Sequence, residues 1–270
     1  PIYWKGLKAV PPFEILMHRM IWSFIVLVPL LKIQGQWTDF VDALKNKKIL
    51  GILTGTTLIV GVKRFLFIWA INTDRVLQTS LGYFINPLIN VILGLVFLKE
   101  RLRPLQAVAV GLAGIAVTYL TIMVGEPPWI ALAIAFTFGF YALIRKVAPV
   151  SSLVGLSVET LLLSLPAMGY LVYLDNKGAG AFLRMAWTLD LLLIGAALVT
   201  ALPLLLFTLG ARRLNLATVG LLQYIAPSCT FMLAVFFYGE PFAMAQLWAF
   251  ILIWTALAIF SYDSLRYHLK

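Results

Sequence analysis

Residues 76–100 read VLQTSLGYFINPLINVILGLVFLKE, and residues 216–240 read LATVGLLQYIAPSCTFMLAVFFYGE. Each is an apolar run long enough to cross a hydrocarbon core of about 30 Å, which takes about 20 residues. Each has a proline in its interior and a glutamate at its end. Laid over one another at an offset of 140 residues, they align without a gap: Leu81 meets Leu221, Ile85 meets Ile225, Pro87 meets Pro227, Phe97 meets Phe237 and Glu100 meets Glu240. The same offset pairs Gln106 with Gln246, Gly55 with Gly195, Phe67 with Phe207, Leu16 with Leu156 and Lys5 with Arg145. Shared apolar composition produces scattered matches, but it does not readily align interior prolines and span-closing glutamates. The chain therefore reads as two copies of one unit.

Composition sets the solvent. Of 270 residues, 62% are hydrophobic and 12% charged, against about 45–50% and 25% in a soluble domain. The mean hydropathy is +0.96. This excludes a soluble enzyme, and it excludes a nucleic-acid binder despite the net charge of +10. Apolar runs fall at roughly 13–33, 48–71, 76–98, 104–124, 128–147, 152–174, 188–210, 217–238 and 243–263. Only the connections 34–47 and 175–187 are long. The sequence predicts an all-α, polytopic membrane protein. The sixth helix of the full fold begins near Pro128, so its mate should begin about a dozen residues before Pro1. That predicts ten helices in two five-helix repeats, 1–125 and 126–270, with the first helix largely absent from the chain. An odd number of helices per repeat inverts one relative to the other, a common design in secondary transporters.

Charge sets orientation. If loop 34–47 is cytoplasmic, Lys32, Lys45, Lys47, Lys48, Lys99, Arg101, Arg103, Arg145, Lys146, Arg212, Arg213, Arg266 and Lys270 share its side. Lys5, Lys8, Arg75, Lys177 and Arg184 lie opposite, which puts the C-terminus in the cytoplasm. The basic balance then reflects topology and the lipid bilayer. Cys229 is the sole cysteine and reads as a small buried apolar residue. His18 and His268 are far apart, and no metal-ligand spacing, phosphate loop or nucleophile elbow appears. No metal, cofactor or catalytic activity is expected.

The motifs resemble the EamA-type transporters of the drug/metabolite transporter superfamily, and within them the RarD (chloramphenicol-sensitive protein) group. The resemblance rests on Glu14-Ile15-Leu16-Met17-His18-Arg19 with Trp22-Ser23, Phe67-Ile68-Trp69-Ala70, Leu81-Gly82-Tyr83-Phe84-Ile85-Asn86-Pro87 and Glu100-Arg101-Leu102. In the second half it rests on Thr200-Ala201-Leu202-Pro203-Leu204-Leu205, Gln223-Tyr224-Ile225-Ala226-Pro227 and Gly239-Glu240. It implies a bacterial inner-membrane secondary transporter that exports a small metabolite or drug-like molecule, chloramphenicol among the candidates, by alternating access. A proton or counter-substrate would drive it, and a homodimer is one possible assembly. The alternative is a non-coupled membrane protein on the same fold, either flippase-like or structural. One departure is Lys63-Arg64, where the group has an Asn-Trp pair. Two mid-span cations cost roughly 2.5–3.5 kcal/mol each on insertion scales. They need an aqueous cavity, a counter-ion or a shifted helix. Specialisation toward an anionic ligand, a tolerated change and an altered sequence are all open.

Ionisable and polar groups inside spans are the candidate site. Glu14 and His18 are one turn apart and share a face. Arg19 and its mate Glu159 sit about 10 Å in from opposite boundaries, too far apart for direct contact without tilt or water. Either they gate or couple transport, or they lock helices together. Thr79, Tyr83, Asn86 and Asn90 share one helical face, with Gln223, Tyr224 and Thr230 at corresponding positions on the ninth span. These read as cavity-lining groups or as interhelical hydrogen-bond partners. Pro87 and Pro227 each remove a backbone donor and suit a hinge. Glu100 and Glu240 are expected to cap loops. Gly51 and Gly55 form a GxxxG pattern that serves either the bundle or a dimer.

Overall fold

The computed structural model describes residues 3, 6–73, 75–125, 127–237 and 244–268. Lys5 and Lys270 of the charge survey, and Gly239 and Glu240, the latter expected to cap a loop, lie outside the described residues. The helices are α1 (Pro12–Ile33), α2 (Trp37–Lys45), α3 (Lys47–Asn72), α4 (Val76–Phe97), α5 (Pro104–Val124), α6 (Trp129–Val147), α7 (Ser152–Asn176), α8 (Trp187–Arg213), α9 (Leu216–Leu222), α10 (Ile225–Met232) and α11 (Met244–His268). No strand occurs among the described residues. Eight of these helices are long and apolar enough to cross a membrane.

The structure differs from the sequence reading in two elements. The ninth span is not one helix: α9 stops at Leu222, α10 starts at Ile225, and a π-helical turn follows over Leu233–Phe237. Pro227 accounts for the break. It cannot donate to the Gln223 carbonyl, and its ring crowds that carbonyl. Pro29, Pro87, Pro166 and Pro203 lie inside α1, α4, α7 and α8 without dividing them. The second difference is the 34–47 connection, which contains α2. Too short and too charged to read as a span, α2 is amphipathic. Phe40 and Ala43 are buried in a core with Leu27, Leu31, Leu53, Leu153, Val154, Leu156 and Val158, while Asp39 and Asp42 are exposed. Local capping fixes its neighbours. Asn46 Oδ1 accepts from Lys48 and Ile49 N–H at the start of α3. Ser151 Oγ accepts from Val154 N–H at the start of α7 and donates to Gln36 Oε1 at 2.6 Å.

The chain forms two compact units. The first holds Pro1–Gly61 and Ile144–Arg212, the second Val62–Leu143 and Arg213–Lys270. Each therefore draws on both sequence halves. In the first unit α1 packs along α7, and α2 lies against α7. In the second, α9 packs on α4, and α5 packs on both α4 and α11. Arg103 ties α5 to α11 through Asp263 at 2.5 Å and stacks on Tyr267 at 4.4 Å.

Glu100 caps, as expected, but it caps a distant helix. After α4 the chain turns back through Lys99, whose φ of 54° is left-handed. This places the Glu100 carboxylate on the N-terminus of α9, accepting from Leu216 N–H at 2.7 Å and Ala217 N–H at 3.0 Å. Glu100→Ala is expected to destabilise the fold by about 1–2 kcal/mol, the usual cost of losing such a cap. A thermal-unfolding midpoint for the purified variant equal to wild type would exclude this role.

Candidate functional site

In the first unit the buried charge centres on Glu159. Glu159 sits two turns into α7 and is 4% exposed. Its Oε1 accepts from the Thr56 hydroxyl of α3 at 2.6 Å and lies 3.5 Å from Arg145 Nε. Arg145, in the last turn of α6, is fully buried. The chain reverses between α6 and α7, so the Arg145 side chain runs back along α7. Its guanidinium occupies the place a Cβ on Gly155 would take: such an atom would lie 1.8 Å from Nη1. Gly155 is one turn before Glu159, and its missing side chain opens the path between the two charges. Nη2 also donates to the Ser152 carbonyl at 3.0 Å, while Nε and Nη1 have no hydrogen-bond acceptor. The charge survey of the sequence counts Arg145 only by side; the structure adds that its side chain is buried and paired with Glu159.

Arg19 donates through Nε to the Thr200 hydroxyl of α8 at 2.8 Å. Arg19 and Glu159, mates at the repeat offset, thus each bond a threonine from the other sequence half. Glu14 and His18 do come together, and both are buried. Glu14 Oε1 lies 3.9 Å from His18 Nε2 and accepts from Ala181 N–H at 2.7 Å. His18 Nδ1 accepts from Trp22 Nε1 at 3.3 Å, and its ring packs against Phe182. Glu14 Oε2 and His18 Nε2 are buried without hydrogen-bond partners. The 175–187 connection is thus no passive loop: two left-handed residues, Gly178 and Leu183, fold Ala181 and Phe182 inward.

In the second unit the polar face of α4 is largely consumed by helix–helix contacts. Asn86 Nδ2 donates to the Ala135 carbonyl of α6 at 3.0 Å. Asn90 Nδ2 donates to Gln223 Oε1 at 2.7 Å. The Tyr224 hydroxyl donates to the Phe84 carbonyl at 3.0 Å. Phe84 is the residue that Tyr224 matches at the repeat offset. Close by, a Cβ on Gly220 would lie 2.5 Å from the Pro87 carbonyl oxygen, so α9 and α4 meet backbone to backbone there. Thr79 is buried, whereas Tyr83 and Thr230 are exposed, and Thr230 Oγ1 bonds the Ala226 carbonyl of its own helix. Pro87 stays within a continuous α4, and Pro227 follows the break before α10.

Lys63 and Arg64 both lie well inside α3. Lys63 Nζ is 3.6 Å from the centroid of the Phe138 ring and 5.6 Å from that of Tyr83. Cation–π contacts of this kind contribute about 0.5–2 kcal/mol. Cys229 is exposed rather than buried: Ser228 faces inward, and the next residue of a helix turns about 100° away. A Cβ on Gly51 or Gly55 would meet nothing within 4 Å, so the GxxxG face makes no close helix contact among the described residues. The sequence reading missed Arg145, Thr56, Thr200, Gly155 and Gly220. The repeat offset marked Arg145 through Lys5, and Thr200 opens one of the motifs that carry the family resemblance; the sequence assigned a role to neither.

The comparisons agree on the family. The EamA-like transporter family matches residues 2–122. An uncharacterised transporter of Vibrio cholerae is 46% identical over 98% of this chain and 88% of its own length. Protein RarD of Salmonella typhi is 44% identical over 98% and 90%. The chloramphenicol-sensitive protein RarD of Pseudomonas aeruginosa is 32% identical over 98% and 90%. A solved crystal structure, 18% identical, superposes with a TM-score of 0.73 over 96% of this chain and 90% of that one, which fixes the fold alone. The chain belongs to the RarD group of EamA-type transporters and is a multi-pass membrane protein.

Proposed function

We propose that the chain is a secondary active transporter of the bacterial inner membrane, with its C-terminus in the cytoplasm. It exports a small polar or amphipathic molecule by alternating access between inverted repeats 1–125 and 126–270. The observation that supports this most is the Tyr224–Phe84 hydrogen bond. A residue that touches its own repeat mate lies where a two-fold relation between the repeats would pass. Inverted repeats rocking about such a relation are a recurrent transporter mechanism. Coupling is assigned to Glu159, a carboxylate inside a span whose hydrogen-bonding partner, Thr56, and ion-pair partner, Arg145, come from other helices. Arg19, with Thr200, is its counterpart in the other repeat.

The test is flux in proteoliposomes, after a thermal-shift screen of amino acids, nucleobases, sugars and drugs, chloramphenicol included. Glu159→Gln keeps an acceptor for the Thr56 hydroxyl but leaves the buried Arg145 guanidinium without its counter-ion, so a lowered unfolding midpoint is expected and flux is read well below that midpoint. The variant should lose gradient-driven accumulation of the substrate while retaining exchange. Wild-type accumulation by Glu159→Gln would remove Glu159 from the coupling step. Absence of flux for every compound that binds would overturn the transport reading.

A further inference from the structure

Among the described residues, no carboxylate neutralises Lys63. Lys63 lies nine residues before the end of α3 and sixteen after its start, roughly 14 Å and 24 Å along the helix axis. A four-carbon stem spans only about half the shorter distance, so the ammonium does not reach the interface by snorkelling. Within the second unit, the described carboxylates are already engaged. Glu100 caps α9, and Asp263 pairs with Arg103. Among the described residues the Lys63 ammonium contacts aromatic faces and no carboxylate. Arg64, next in sequence, adds to the local positive charge.

The surroundings of Lys63 are aromatic. Phe138 offers its face to the ammonium, and its other neighbour, the buried Tyr141, stacks on it at 5.8 Å and holds the ring in place. Phe67, one turn along α3 from Lys63, meets Tyr83 edge to face at 6.2 Å. Tyr83 is 46% exposed, and Lys63, Phe67 and Phe138 are half-buried, so the group is not sealed between helices. An aromatic face stabilises the ammonium but accepts none of its hydrogen bonds in the usual geometry. A carboxylate approaching Nζ would take those donors and cancel the charge, in a setting of low dielectric where such a bond is strong. The rings around it would cover an apolar or aromatic body.

We propose that Lys63, with Phe138, Tyr83 and Phe67, binds the carboxylate group of an organic anion that carries an apolar or aromatic body. This rests on the transport reading above, since it names the class of molecule carried. It places the carboxylate on the Lys63 ammonium and the body against the aromatic rings.

The experiment is calorimetric titration of the purified full chain in detergent with 3-phenylpropionate, 3-phenylpropionamide and acetate, followed by flux of the same compounds in proteoliposomes. The acid is expected to bind about tenfold or more tightly than its neutral amide, the scale of one hydrogen bond to a charged group. Acetate, which lacks the body, should bind more weakly than 3-phenylpropionate. Lys63→Met removes a mid-span charge and should fold at least as well as wild type. It is expected to bind acid and amide alike, while Lys63→Arg keeps a preference for the acid. Equal binding of acid and amide by wild type, or an unchanged preference in Lys63→Met, overturns the site. Intact, Lys63-dependent binding with no flux leaves the site standing and counts against the transport reading instead.

Discussion

Arg145→Met is expected to destabilise the protein by about 3–5 kcal/mol, the range for removing one partner of a buried ion pair. The cost comes from what remains. Glu159 stays 4% exposed, now without the guanidinium that lay 3.5 Å from its Oε1. Methionine fills much of the arginine stem's volume, so the loss is electrostatic rather than a cavity. The double replacement Arg145→Met with Glu159→Met should recover most of the loss. Buried pairs exchanged for apolar residues of similar volume are often neutral or better. Thermal unfolding of the detergent-purified variants reads the difference. An Arg145→Met midpoint equal to wild type would show that the pair contributes nothing to the fold. The double variant also separates stability from transport: if it folds and still accumulates substrate against a gradient, Glu159 is a helix lock and not a coupling group.

Much of this fold was legible because the bilayer makes span length and charge placement obligatory. Eight of nine apolar runs became helices within a few residues of the predicted ends, and the ninth broke where Pro227 removes the usual donor four residues on and the Gln223 carbonyl accepts from Ala226 N–H instead. The amphipathic α2 was missed because a nine-residue helix with exposed Asp39 and Asp42 has neither the length nor the hydropathy of a span. What it buries, Phe40 and Ala43, is decided by α7, which is remote in sequence. Candidate residues were found by a simple rule, ionisable or polar inside a span, and the rule found Glu159, Arg19, Glu14 and His18. Beyond placing Glu14 beside His18, it gave no account of their partners. Arg145 ends a helix next to Lys146 and reads from sequence only as a charge on one side of the membrane; the space above Gly155 lets it turn inward. Thr56 and Thr200 look like any of the hydroxyls that bond their own helix, as Thr230 does. Partner choice depends on helix rotation and crossing, which no periodicity within one helix encodes.

Gly220→Ala tests the close crossing of α9 on α4. Exchanging glycine for alanine within a helix ordinarily stabilises it by about 0.5–1 kcal/mol. Here the new Cβ would fall 2.5 Å from the Pro87 carbonyl oxygen and 3.1 Å from Asn90 Cβ. Neither atom can swing away by a side-chain rotation, so α9 must move off α4. That movement stretches the Asn90–Gln223 bond of 2.7 Å and the Tyr224–Phe84 bond of 3.0 Å together. Overpacking costs about 1–3 kcal/mol, and the strained interhelical bonds add roughly 0.6 kcal/mol each, so net destabilisation is expected despite the helical gain. Gly139→Ala is the informative comparison. Its Cβ would lie 2.7 Å from Ile89 Cγ2 and 2.9 Å from Leu93 Cδ1, the outer atoms of side chains that can shift, and it should cost less. Gly111→Ala meets nothing within 4 Å and should be neutral or stabilising. The expected order of unfolding midpoints in one detergent is therefore Gly111→Ala highest, Gly139→Ala next and Gly220→Ala lowest. If Gly220→Ala matched Gly111→Ala, the close approach of α9 to the Pro87 carbonyl would be wrong. The argument that a two-fold relation passes through this crossing would lose its support with it.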